Sequence, residues 1–132
     1  MKKAFAIFLA AILVMCICSF SGCSRYTSKY HAVAFVHSNE SDKAFMSFYT
    51  FKGTMVFKLK CKNTQQLRYT AKLESGSADV YLDCGDGKTE LFAVSAGDEV
   101  GSAVGQLEKG TVYVLVETNG TCQNGNFEFE LE

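Results

Sequence analysis

The chain of 132 residues contains no tryptophan and no proline. Without proline, its reversals fall to glycine, serine, asparagine and aspartate. Histidine is scarce too: only His31 and His37 occur, and no Cys-x-x-Cys pair accompanies them. That scarcity speaks against a zinc site, which draws its ligands from Cys and His at short spacing. No Gly-x-Ser-x-Gly elbow is present, and Ser75-Gly76-Ser77 has the composition of a turn. A Ser-His or Cys-His arrangement would have to recruit one of two histidines by chance of folding. No cofactor fingerprint is found. The expectation is a protein that is not an enzyme and holds no cofactor or metal. The formal charge of −1 is also too small to suggest a nucleic-acid partner.

The N-terminus is informative. Lys2 and Lys3 precede an uncharged run from Ala4 to Ile17, which is followed by Cys18-Ser19-Phe20-Ser21-Gly22-Cys23. A positive start, a short apolar stretch and small residues before a cleavage point describe a secretory signal peptide. The run is short of the roughly 20 residues that a spanning helix needs. Phe20-Ser21-Gly22-Cys23 resembles a bacterial lipobox. Leucine is commoner than phenylalanine at its first position. The resemblance covers the first 23 residues. It implies that Cys23 receives a diacylglycerol and becomes the first residue of the mature chain. The alternatives are an ordinary secreted protein and an uncleaved anchor. A two-chain lipid gives stable membrane attachment where one chain would be marginal. The expected organisation is therefore a signal peptide over 1–22, a lipidated Cys23 with a short polar tether over 23–29, and one domain over 30–132. The expected location is the extracytoplasmic face of the cell membrane. Removing 1–22 leaves 11 basic and 14 acidic residues.

Of six cysteines, Cys16 and Cys18 belong to the leader and Cys23 to the lipid. Cys61, Cys84 and Cys122 remain, in an oxidising compartment. Three thiols allow one disulfide. An up-and-down strand count places all three at one end of the fold. It also places Cys61 and Cys84 on opposite sides of the strand 67–73, about 9–10 Å apart. That is beyond the 7 Å limit for a bond. Cys84–Cys122 is then the favoured pair and Cys61–Cys122 the second. The plain alternative is three buried, small apolar side chains.

From Tyr30 onward the pattern has period two. Met55, Phe57, Leu59 and Cys61 alternate with Val56, Lys58, Lys60 and Lys62, and similar runs cover 67–74, 78–84, 112–117 and 127–132. Strict alternation marks strands with one buried face. Ser75-Gly76-Ser77, Gly85-Asp86-Gly87 and Asn124-Gly125 carry turn chemistry between runs. The segment 102–108 is ambiguous, a helical turn or an irregular link. About eight such strands predict an all-β fold, a single antiparallel β-sandwich of jelly-roll type. In strand pattern the domain resembles the small β-sandwich modules appended to secreted bacterial enzymes. That likeness implies a fold and no function.

Candidate sites are few. Asp79, Asp83, Asp86 and Glu90 cluster around one predicted hairpin and invite a calcium reading. EF-hand spacing fails because Gly85 and Gly87 stand where acids are required. A turn with ion pairs is the plainer reading. His31 and His37, on one strand, would lie about 20 Å apart and could not share a metal. Lys58, Lys60 and Lys62 form an outward row. Hairpin pairing would set Lys72 opposite Asp79 and Arg68 opposite Asp83, and would leave the three-lysine row without partners. The row is the candidate contact for an anionic surface, while Glu128, Glu130 and Glu132 would face away or pair within a complex. Exposed Tyr81 and Tyr113 could stack on sugars. The expected function is a membrane-anchored binding module for a cell-envelope polymer or a protein partner. The alternative is a structural or assembly subunit of an envelope complex.

Overall fold

The computed structural model describes residues 26–85 and 87–132. Residues 1–25, on which the expected signal peptide and lipidated Cys23 fall, and Asp86 lie outside the described residues. The described residues form nine antiparallel strands: β1 (Lys29–Val33), β2 (Val36–Asn39), β3 (Lys43–Cys61), β4 (Gln65–Ser75), β5 (Ser77–Asp83), β6 (Thr89–Ser95), β7 (Glu99–Leu107), β8 (Gly110–Thr118) and β9 (Cys122–Leu131). They hydrogen-bond in the order β6-β5-β8-β3-β9-β4-β7, with β1 and β2 also on β3.

Register shows how one sheet becomes two layers. The 19-residue β3 pairs with β8 over Thr54–Cys61 and with β9 over Lys43–Phe51, in one continuous direction. β8 and β9 are therefore successive halves of one long partner. β4 runs into β5 in the same way, through Gly76 alone. β6 and β7 complete the set, pairing with β5 and β4 respectively. Each of these four long strands bends near its middle, and the bends align. Gly53 N–H donates to Thr118 Oγ1 at 2.8 Å. Asn119 N–H reaches the Ser77 carbonyl at 2.9 Å, and Gly97 N–H reaches that of Leu73 at 2.8 Å. The sheet is folded across this line of bends. The expected antiparallel sandwich is thus present, built from long strands folded over.

The buried face of each layer follows the sequence alternation. Phe51, Phe57, Phe127 and Phe129 are wholly buried. Burying such a ring contributes about 1.5–3 kcal/mol. Rings meet across the layers: Phe57 lies 6.0 Å from Phe129, and Tyr69 stacks on Phe92 at 4.6 Å.

Several expected details are corrected. The hairpin pairings β3–β4 and β4–β5 do not form, because Gly76, at φ 93°, bends the chain forward from one layer into the other. Lys72 stands opposite Glu99 and Asn126, and Arg68 opposite Ala103 and Glu130. Asn124-Gly125 is no turn. It lies inside β9, with Asn124 at φ 47° and Gly125 opposite Phe48. The ring of Phe48 fills the space a side chain at 125 would need. Residues 102–107 belong to β7. His31 and His37 fall on two strands, separated where Ala34 takes φ 51°.

The line of bends also separates the cysteines. Cys61 pairs opposite Gly110 and Cys122 opposite Phe51, so their levels are ten positions apart along β3. That is about 30 Å of strand. A disulfide needs Cα atoms within about 7 Å. Cys61 and Cys122 are free, buried thiols and Cys84 is exposed. Neither Cys61–Cys122 nor Cys84–Cys122 is formed, because Cys122 sits at the bends and the other two at the opposite end.

Candidate functional site

The outer faces of the two layers differ. On the layer β6-β5-β8-β3, the outward residues run in rows fixed by register. Lys58 stands opposite Tyr113, and Tyr113 opposite Asp83. Val56, Leu115 and Tyr81 form the next row. This face is already covered. The Tyr26 hydroxyl donates to Asp83 Oδ2 at 2.5 Å, and its ring packs edge-on against Tyr113 at 5.4 Å. Val56 N–H donates to Ser28 Oγ at 2.9 Å. From the other side Lys88 Nζ lies 4.3 Å over the Tyr81 ring and pairs with Glu117 at 2.9 Å. Tyr81 and Tyr113, read from the sequence as exposed sugar platforms, are thus occupied by Lys88 and Tyr26. Tyr26 is a residue that sequence reasoning missed. Its only signal was an aromatic in a stretch read as polar tether.

Two acids of the predicted calcium cluster, Asp79 and Asp83, are engaged. Asp83, fully buried, accepts from Tyr26 and from Gly85 N–H at 2.8 Å. Asp79 accepts from Asn119 Nδ2 at 3.2 Å. Among the described residues no three His, Cys, Asp or Glu groups gather as a metal site. His37 stacks on Phe35 at 4.7 Å, and no hydrogen bond among the described residues joins either histidine to a Ser or Cys.

The row Lys58, Lys60 and Lys62 is exposed, at the free edge of β3. The backbone beneath it is capped. Asn39 Oδ1 accepts from Lys58 N–H, and Asn39 Nδ2 donates to the Lys58 carbonyl, both at 2.9 Å. Lys60 N–H donates to the Ser41 carbonyl at 2.7 Å. Lys58 and Lys60 border a depression of about 480 Å³ with Asn39, Glu40, Ser41 and Thr111.

The outer face of the other layer is open. The central row is Ser38, Phe45, Glu128, Thr70 and Gly101, each opposite the next. Small residues at both ends leave the middle of the row accessible. The result is a trough of about 440 Å³ lined by Phe45, Arg68, Thr70, Glu128 and their neighbours Lys43 and Glu130. That volume is in the range of small-ligand sites. Phe45 breaks the rule of its strand: it points outward between buried Ala44 and Met46. That was the one signal in the sequence, an aromatic out of phase with the core. The four charges are two of each sign. Arg68 reaches Glu132 at 3.1 Å, and Thr70 Oγ1 lies 3.5 Å from Glu128 Oε2. The floor therefore offers hydroxyl, carboxylate, guanidinium and ring surface with balanced charge. Such a surface favours an uncharged ligand rich in hydroxyl or amide groups.

The buried thiols give a direct check of the layer geometry. Burial pushes the Cys122 thiol above its ordinary value, and its Sγ contacts the Ser77 carbonyl at 3.3 Å. Cys61 Sγ lies 2.7 Å from the Asn63 carbonyl. Alkylation of the native protein should spare both, and denaturant should expose both, read by peptide mass spectrometry. A non-reducible failure to label after denaturation, or a Cys122 disulfide, would contradict the fold.

No protein-family model matches the chain, and no curated protein sequence does. Solved structures do. The chain is similar to the carbohydrate-binding module TmCBM61, solved with β-1,4-galactotriose, at TM-score 0.48 and 12% identity over 86% of this chain and 92% of that one. It is similar to PliG of Aeromonas hydrophila, a periplasmic inhibitor of g-type lysozyme, at TM-score 0.49 and 10% identity over 70% and 88%. A third is the pre-peptidase C-terminal domain of a Bacillus anthracis collagenase, at TM-score 0.41 and 15% identity over 80% and 88%. The likeness is one of strand arrangement, that of small β-sandwich modules, and carries no residue role to this chain.

Proposed function

We propose that the protein is a binding module held by lipid at Cys23 on the outer side of the cell membrane, and that its ligand surface is the trough on β3, β9 and β4. The observation that carries the reading is the asymmetry of the two outer faces. One is closed by Tyr26, Ser28 and Lys88. The other presents half-buried Phe45 beside Arg68, Thr70 and Glu128 in a 440 Å³ trough. Tyr26, three residues after Cys23, docks on the covered face, so a lipid at Cys23 would turn the open face away from the membrane. Balanced charge in the trough fits a neutral polysaccharide of the cell envelope better than an acidic polymer.

The test is titration of the mature protein with soluble neutral and anionic polysaccharides, for wild type and for Phe45→Ala with Glu128→Gln. Neither residue is buried in the core, so the double variant keeps the fold. A neutral glycan should bind wild type, and the variant should lose at least about tenfold in affinity, equivalent to ~1.4 kcal/mol. Equal binding by the two proteins would refute the trough as the site.

A further inference from the structure

We infer that the row Lys58, Lys60 and Lys62 docks on anionic lipid headgroups of the same bilayer that carries the anchor, fixing the orientation of the domain. The inference rests on the proposed lipid at Cys23. It starts from the point at which the tether joins the fold. The sequence suggests a free tether reaching to Tyr30, but the structure pins the chain already at Tyr26. Its hydroxyl is bonded to Asp83 and its ring packs on Tyr113, while Ser28 holds Val56. Only three peptide units separate Tyr26 from Cys23, a reach of at most about 11 Å. The surface around Tyr113 is therefore held against the membrane.

Register puts the lysines there. Lys58 is the direct cross-strand neighbour of Tyr113, and Lys60 that of Thr111. Strand neighbours lie about 5 Å apart. The ammonium groups of Lys58, Lys60 and Lys62 have no hydrogen-bond or salt-bridge partner among the described residues. Of the nearby acids, Asp83 is buried under Tyr26, and Asp42, beside Ser41, is a single exposed carboxylate against three ammonium groups. Glu117 pairs with Lys88, Glu40 with Lys43 at 3.5 Å, and Asp79 holds Asn119. Glu90 stands on the far side of the face, opposite Tyr81. The row is thus a local excess of positive charge.

The capped backbone decides what kind of partner fits. An exposed strand edge ordinarily invites another strand. Here the N–H groups of Val56, Lys58 and Lys60 and the Lys58 carbonyl are bonded to Ser28, Asn39 and Ser41. A strand could not pair without displacing all three. What remains on offer is side-chain charge at a spacing of about 7 Å. Charge at that range from a bilayer is what an anionic leaflet attracts.

The experiment uses the lipoprotein purified from membranes and reconstituted into two kinds of vesicle. One is phosphatidylcholine alone and the other contains phosphatidylglycerol. Intact mass and flotation first report the anchor. Amine acylation then reports each lysine by peptide mass spectrometry. With phosphatidylglycerol, Lys58, Lys60 and Lys62 should be protected about fivefold or more relative to Lys72 on the opposite face. The protection should fall with phosphatidylcholine alone and at high salt. A protein that floats while its three lysines react like Lys72 overturns this inference and leaves the anchor standing. A protein that carries no lipid at Cys23 and does not float overturns both. Protection that requires a soluble anionic polymer, and is indifferent to the vesicle, overturns the assignment to lipid.

Discussion

Gly53→Val and Gly76→Val are each expected to lower stability by about 3–5 kcal/mol, a large share of what a domain this size possesses. The two glycines sit on the line of bends that folds one sheet into two layers. Gly53 has φ 130° and Gly76 φ 93°, values that side-chain-bearing residues adopt only under strain. Strain of that kind costs ~1–3 kcal/mol. Space is missing as well. A Cβ at 53 would strike the backbone of β1 at the Lys29 carbonyl and lie 2.7 Å from Tyr30 Cα. A Cβ at 76 would lie 2.8 Å from both Cys122 Sγ and the Thr121 carbonyl. These neighbours are mostly backbone, which cannot swing aside as a long side chain can, so overpacking adds ~1–3 kcal/mol more. Chemical denaturation of the variants measures the loss. For contrast, Gly97→Ala meets nothing within 4 Å, so it should cost only the strain of its positive φ. Bends that tolerated valine as wild type does would mean that β4–β5 and β3 do not turn where the structure places them.

Asp83→Ala should cost about 2–4 kcal/mol, and Tyr26→Phe about 1–3 kcal/mol. Asp83 is wholly buried at the end of β5 and accepts from Tyr26 and Gly85. Its removal strands two donors and loosens both the chain entering the domain and the loop from β5 to β6. Tyr26→Phe keeps the ring against Tyr113 but removes one donor from a buried carboxylate. Because the two groups share a bond, the losses should not add: the double variant should be little worse than Asp83→Ala. Urea denaturation of the four proteins tests the coupling. Additive losses, or a Tyr26→Phe protein as stable as wild type, would show that Tyr26 is not docked. The reach from Cys23 to the fold would then lengthen, and the orientation argued from it would lapse.

The all-β class was legible because alternation records burial. Met55, Phe57, Leu59 and Cys61 were read as one face and all are buried. Strand order was not legible, because alternation is silent about which strand lies beside which. Ser75-Gly76-Ser77 has the composition of a hairpin turn, yet a single glycine at positive φ can equally carry a strand round a corner. Reading it as a reversal displaced every pairing after it, including Lys72 with Asp79 and the common end assigned to the cysteines. Asn124-Gly125 misled in a similar way: the glycine is there to accommodate the Phe48 ring. The outward position of Lys58, Lys60 and Lys62 was legible because it depends only on alternation. The trough escaped notice because it joins Phe45, Arg68 and Glu128 from three strands that are distant in the chain. Tyr26 escaped because one aromatic in a polar stretch has no periodicity to betray it.

The most direct test of the central claim is a ligand footprint on the intact protein. A neutral envelope polysaccharide that binds the protein is added at saturation, and carboxyl and amine modification are mapped by peptide mass spectrometry. The account predicts protection of Glu128, Glu130 and Lys43 around the trough, with Glu90 and Lys109 unchanged. Protection at Glu90 and Glu117, with Glu128 and Glu130 still reactive, would place the ligand on the face closed by Tyr26 and Lys88 and contradict the account.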